Sequence, residues 1–268
     1  MAFIDNLALV EVLLLVAASL LVYIGVNGWW AMRKNDPKGL RNVLKGGAVP
    51  LGVVGGASMV LALWGEMAWP YPTGMQGYNI FFGDVFLLFS IVMVAYAIGI
   101  TFSIRLQYLG VLAFVAGAVT LFYGWTGWTA NPAYTKDPFD TFLLYAGFGA
   151  AGIFAFPASV IVDLYLAAAE GNSTFWTSVV DTNTSFRSTL GLSALGVRGV
   201  GAVIGEKPVS KEESEATRLE QLKFRMPILA QLIVLLFPVF MFLAGVAAFY
   251  YFGTTLPGHL GNGAAKAP

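Results

Sequence analysis

Long uncharged runs alternate along the chain with short polar breaks, and six of the runs are long enough to cross a hydrocarbon layer, which takes ~20 helical residues. They cover about residues 7–29, 47–69, 84–103, 108–128, 140–167 and 227–252. The first begins after Asp5, contains Glu11 and follows no basic segment, so it reads as a retained span rather than a cleaved signal. Pro157 and Pro238 fall inside the fifth and sixth runs, where the missing amide donor is expected to kink the helices. The pattern predicts an all-α membrane protein with six transmembrane helices. Residues 1–167 hold helices 1–5, and 168–226 form an inner loop. Residues 227–253 hold helix 6, and 254–268, rich in Gly, Pro and Ala, read as a disordered outer tail.

The breaks differ in charge, and this sets an orientation. With six spans both termini share a side, and 13 of the 15 Lys and Arg fall on the other; only Lys136 and Lys266 do not. Basic residues collect on the cytoplasmic side, so both termini are expected outside. The inner loop reads in two parts. Residues 189–205 are apolar, glycine-rich and broken by Arg198, fitting a segment lying on the membrane surface. From Ser210 a capping pair with Glu213 opens a helix with acids early and bases late. The glycines at 196, 199, 201 and 205 follow no predicted strand and lack the spacing of a dinucleotide loop.

A parallel two-helix repeat is also expected. Shifted by 56 positions, Trp69 falls on Trp125, Tyr78 on Tyr134, Asp84 on Asp140, Phe86-Leu87-Leu88 on Phe142-Leu143-Leu144 and Ala95 on Ala151. Each unit would contain two spans, 2–3 and 4–5, and so enter the membrane in the same sense. Gly52, Gly55 and Gly56, with Gly147, Gly149 and Gly152, are the small residues expected to let helices approach closely.

Composition narrows the chemistry. Hydrophobic residues make up 57% of the chain and charged ones 11%, against the roughly 25% charged of soluble domains. There is no cysteine, and His259 in the tail is the single histidine, so thiolate, iron–sulfur and paired-histidine centres are not expected within this chain. No cofactor and no metal site are predicted, and zero formal charge argues against a nucleic-acid partner. The expected partners are the lipid bilayer and either another membrane protein or further copies of this chain.

Four acids belong at one depth near the outer side: Glu11, Glu66, Asp84 and Asp140. Too few bases lie outside to neutralise them, so they form a candidate carboxylate cluster for a cation or a proton. Capping of free helix amides is the plainer reading for Asp84 and Asp140, which open their spans. For Glu11 and Glu66 a water-exposed interfacial position is the plain alternative. On the inner side, Arg105 and Asp163 form a candidate ion pair between the two repeat units. The alternative there is an Arg105 that snorkels to lipid phosphates.

Between the second and third spans, the stretch Gly-Tyr-Asn-Ile-Phe-Phe-Gly-Asp at 77–84 opens a region, 77–100, that resembles an uncharacterised family of archaeal and actinobacterial integral membrane proteins, domain of unknown function 981. The resemblance implies a prokaryotic, archaeal-type cell membrane and brings no activity, ligand or site residue.

Two functional classes follow. A non-catalytic scaffold or accessory subunit of a membrane complex fits the lack of redox ligands and nucleophile motifs and the 21 Phe, 11 Tyr and 7 Trp able to pack on partners. A small ion- or proton-coupled transporter is the alternative, from the repeat, the prolines and the acids. An enzyme ranks third, because no acid–base or metal set is visible. In this cysteine-free chain, single cysteines at Gly74, Thr135 and Gly261 should react with an impermeant thiol reagent on intact cells, and one at Ser214 should not. Labelling of Ser214→Cys in sealed cells would reverse the orientation.

Overall fold

The computed structural model describes residues 6–68, 79–129, 138–170 and 228–264. Each apolar run forms a helix: α1 (Asn6–Arg33), α2 (Pro37–Ala68), α3 (Asp84–Thr101), α4 (Leu106–Thr129), α5 (Pro138–Glu170) and α6 (Ile228–Ala264). One π-helical turn, Asn79–Gly83, leads into α3. All 6 helices are long and apolar enough to cross a membrane, and no strand occurs among the described residues.

Two boundaries differ from the sequence reading. The basic stretch before residue 47 is not a loop, because α2 already begins at Pro37. Asp36 caps it: its Oδ1 accepts the Gly39 amide at 2.8 Å and its carbonyl accepts the Leu40 amide at 3.0 Å. Proline then suits the first helical position, which has no amide partner to lose. Lys38, Arg41 and Lys45 therefore ride on the first turns of α2. At the other terminus α6 continues to Ala264, into the tail expected to be disordered. Extending a formed helix avoids the cost of nucleating one. The surface segment and capped helix expected within 189–226 lie outside the described residues.

The turns from α1 to α2 and from α3 to α4 close in the same way. Asn35 and Ser103 each have φ 56°, the left-handed conformation. The next amide reaches back five residues, Asp36 to Ala31 at 2.9 Å and Ile104 to Gly99 at 2.8 Å, satisfying carbonyls at the helix ends. Both turns lie at one end of the bundle with Arg33, Lys34 and Arg105, here the basic end. The last turns of α2 and α4 and the first turns of α3 and α5 lie at the opposite, carboxylate end.

Each helix packs on its neighbours in sequence, and α6 returns to pack on α1, so the six close into a ring. The inward side chains form the core, with Ala17, Leu51, Met93 and Ala97 joining α1, α2 and α3, and Ala18, Ala151 and Met241 joining α1, α5 and α6. The outer faces are apolar too; Val49, Val53 and Val60 on one face of α2 are 71%, 67% and 68% exposed. Such a surface requires lipid rather than water. Pro157 and Pro238 are accommodated within continuous helices. Pro238 is fully buried, and a Cβ on Gly25 of α1 would lie 2.9 Å from its Cβ.

Glycines set the closest approach, between α4 and α5. Gly110, Gly117 and Gly124 recur every seven residues down the α4 face that meets α5. A Cβ on Gly117 would lie 2.5 Å from the Gly149 carbonyl oxygen and 2.8 Å from the Ile153 nitrogen, both backbone atoms of α5. Gly147 meets α6 in the same way, whereas a Cβ on Gly56 would meet nothing within 4 Å. Gly117→Ala should therefore cost about 1–3 kcal/mol by overpacking, and Gly56→Ala should be neutral or stabilise by up to about 1 kcal/mol through helix propensity. Thermal unfolding of the two variants in detergent measures this, and equal melting temperatures would contradict the packing.

Candidate functional site

At the carboxylate end, the last turn of α2 faces the π turn and the start of α3. Glu66 is half-buried, but its Oε1 is fully occluded and has no hydrogen-bond partner among the described residues. The oxygen rests where a Cβ on Gly83 would sit, so only glycine leaves room for it. Asp84 follows directly, in the first turn of α3, and its charge lies close enough to act on Glu66. Asp84 does not cap: the N-cap position is Gly83, with φ −66° and ψ −53° and no side-chain capping bond. Instead Tyr123 of α4 donates its hydroxyl to Asp84 Oδ2 at 2.7 Å.

The π turn explains this geometry. A π turn widens the helix by one residue per hydrogen bond and re-aims the side chains that follow it. It also turns the Phe81 carbonyl to accept the Tyr145 hydroxyl of α5 at 2.5 Å. The Phe81 ring lies 4.7 Å from that of Tyr145 and 5.2 Å from that of Phe82, centre to centre. Tyr123 stands 6.4 Å from Phe81. An aromatic cluster thus stands beside the start of α3, and through the Tyr123 hydroxyl it touches Asp84. The described Lys and Arg side chains all belong to the basic end, so none neutralises the pair.

The other predicted site residues fall out as follows. Glu11 is 4% exposed on α1, inside the bundle rather than at a wet surface, and Asp140 lies partly buried in the first turn of α5. Among the described residues no three acidic or imidazole side chains gather closely enough to hold a metal ion. The structure brings Glu66 and Asp84 together and does not draw all four acids into one metal-type cluster. At the basic end, Asp163 accepts the Gln107 amide at 2.8 Å and so caps α4 from the neighbouring α5. Arg105 lies close enough for its charge to act on Asp163, but the bonds that hold the carboxylate come from the helix amides of Gln107 and Leu106.

Tyr123, Tyr145 and Gly83 were not singled out in the sequence. Tyr123 and Tyr145 carry a hydroxyl inside an apolar span, where it must find a partner, and that is the signal that could have pointed to them. The ring of helices also encloses a slender cavity of ≈ 180 Å³ to which all six helices contribute lining residues. The hydroxyls along it are already bonded: Tyr96 with Ser159 at 2.7 Å, and Thr120 to the Ala116 carbonyl at 2.8 Å.

These features define a multi-pass helical membrane protein with an acidic pair at one end of an apolar interior. The chain belongs to the family described as "Protein of unknown function (DUF981)", whose model matches residues 1–176. No curated protein and no solved structure matches the chain.

Proposed function

We propose that the chain is a small proton- or cation-coupled carrier, with Glu66 and Asp84 as the coupling acids. The observation that carries this reading is the occluded Glu66 Oε1, which has no hydrogen-bond partner among the described residues and lies beside a second carboxylate. An ionised oxygen in that position is costly, and a proton or a small cation removes the cost. The interior cavity supports the same reading, since a carrier needs a space within the bundle and a scaffold does not. A parallel repeat of α2–α3 and α4–α5, with Asp84 and Asp140 both in first turns, fits alternation between two related hairpins. The basic-residue bias supports an outward-facing carboxylate end, and the family resemblance supports a prokaryotic cell membrane.

The second reading is a scaffold or accessory subunit. It is favoured by the exposed aromatic patch of Trp125, Trp128 and Phe139, which are 54%, 40% and 52% exposed and could pack on another membrane protein as readily as on lipid headgroups. Purification from native membranes separates the two: a free monomer or homo-oligomer is expected, and a stoichiometric protein partner would favour the subunit.

The carboxylate pair is tested by melting the purified protein across a pH series and in sodium, potassium or calcium chloride against choline chloride. A cation bound only by the folded state raises the melting temperature, equivalent to about 2.7 kcal/mol at a hundredfold excess over Kd. Glu66→Gln keeps the shape and removes the charge, so it should flatten the pH and cation response while the protein still assembles. Gly83→Ala should weaken the response by displacing the Glu66 carboxylate. Identical profiles for wild type and Glu66→Gln would remove the carrier reading.

A further inference from the structure

The central cavity has the shape and chemistry of a site for one hydrocarbon chain. Its lining runs from Val10 to Met32 on α1, from Phe82 in the π turn through Val85 to Ile100 on α3, and from Leu144 to Val162 on α5. At 1.5 Å per residue, the α1 portion alone spans about 33 Å, the depth of a bilayer core. A dry apolar cavity of about 150 Å³ accepts a benzene-sized guest. This one has ≈ 180 Å³ with lining residues spread along the bundle, so by the same measure it has room for about seven carbons of a single chain, and a longer chain must extend beyond it. A hydrated ion would find nothing to replace its water, because the lining hydroxyls of Tyr96, Thr120, Tyr145 and Ser159 are already paired.

One lining donor is not paired. The Trp29 indole Nε1 is buried and has no hydrogen-bond partner among the described residues. An orphaned buried donor calls for an acceptor that the described residues do not supply. The Arg33 guanidinium carbon lies 5.4 Å from the Trp29 ring centre, which puts positive charge at that same end. We propose that the cavity binds a single-chain amphiphile with an anionic oxygen headgroup, the head accepting from Trp29 near Arg33 and the tail running towards Phe82 and Tyr145. This guest is the cargo of the carrier proposed above, so the inference rests on that reading.

Palmitate serves as the probe, titrated into the full chain in detergent and followed by native mass spectrometry. One saturable palmitate per chain is expected. Trp29→Phe removes the donor and keeps the ring, and should weaken palmitate binding about 10- to 150-fold, the range for loss of one hydrogen bond to a charged group. Hexadecane, which has no headgroup, should bind both proteins equally and so displace palmitate more readily from Trp29→Phe. Val92→Phe fills the middle of the cavity and should abolish binding; if it does not fold, the smaller Ala155→Val should still reduce binding. Non-saturating adducts, or wild-type affinity in both Trp29→Phe and the folded cavity-filling variant, would overturn the site. Palmitate binding with unchanged pH and cation profiles in Glu66→Gln would sink the carrier and leave the site. A cation response without palmitate binding would sink the site alone.

Discussion

Inside a bilayer no water is at hand to satisfy backbone amides and carbonyls, so each must be bonded within the protein. Six uninterrupted helices answer this along the spans, and the unanswered groups are confined to the helix ends. The chain spends its few polar residues there. Asp36 caps α2 from its own sequence, while Asp163 caps α4 from a neighbouring helix. Asn35 and Ser103 take a left-handed conformation, at a cost of about 1 kcal/mol each, to close the ends of α1 and α3. The backbone constraint thus fixes where charge is used structurally at the basic end.

The carboxylate end departs from that economy. Asp84 stands where a capping acid is expected, yet its oxygen is held by Tyr123, and Glu66 is pressed against Gly83 with one oxygen that bonds no described residue. The intervening π turn makes both positions possible. At position 66 the side chain packs against the Gly83 site, and an apolar residue there would not bring a charge into an occluded position. The occluded Glu66 oxygen, which bonds no described residue, is the observation on which the carrier proposal rests.

Much of the fold was legible because hydropathy is nearly the only signal a lipid-embedded helix carries. All six runs read as spans and all six are helices. The start of α2 was hidden because Lys38, Arg41 and Lys45 resemble a loop, although Asp36 and Pro37 together spell a helix start. The acids at 66, 84, 105's partner 163 and 11 were visible as charges in apolar surroundings. Their partners were not, since Tyr123 lies 39 residues from Asp84, and Tyr145 lies 64 from Phe81. Such contacts depend on how the ring closes, and periodicity along a single helix carries no record of that. The glycine spacing of α4 was present in the sequence, but its meaning came from the α5 backbone opposite.

The central claim is that the Glu66 carboxylate exchanges a proton or cation within the folded bundle. Infrared difference spectroscopy between acidic and neutral pH, and between choline and sodium, potassium or calcium, observes that group directly. The account predicts a carboxyl or carboxylate band that responds to pH or to a cation and disappears in Glu66→Gln. Difference spectra that are the same in wild type and Glu66→Gln would contradict it.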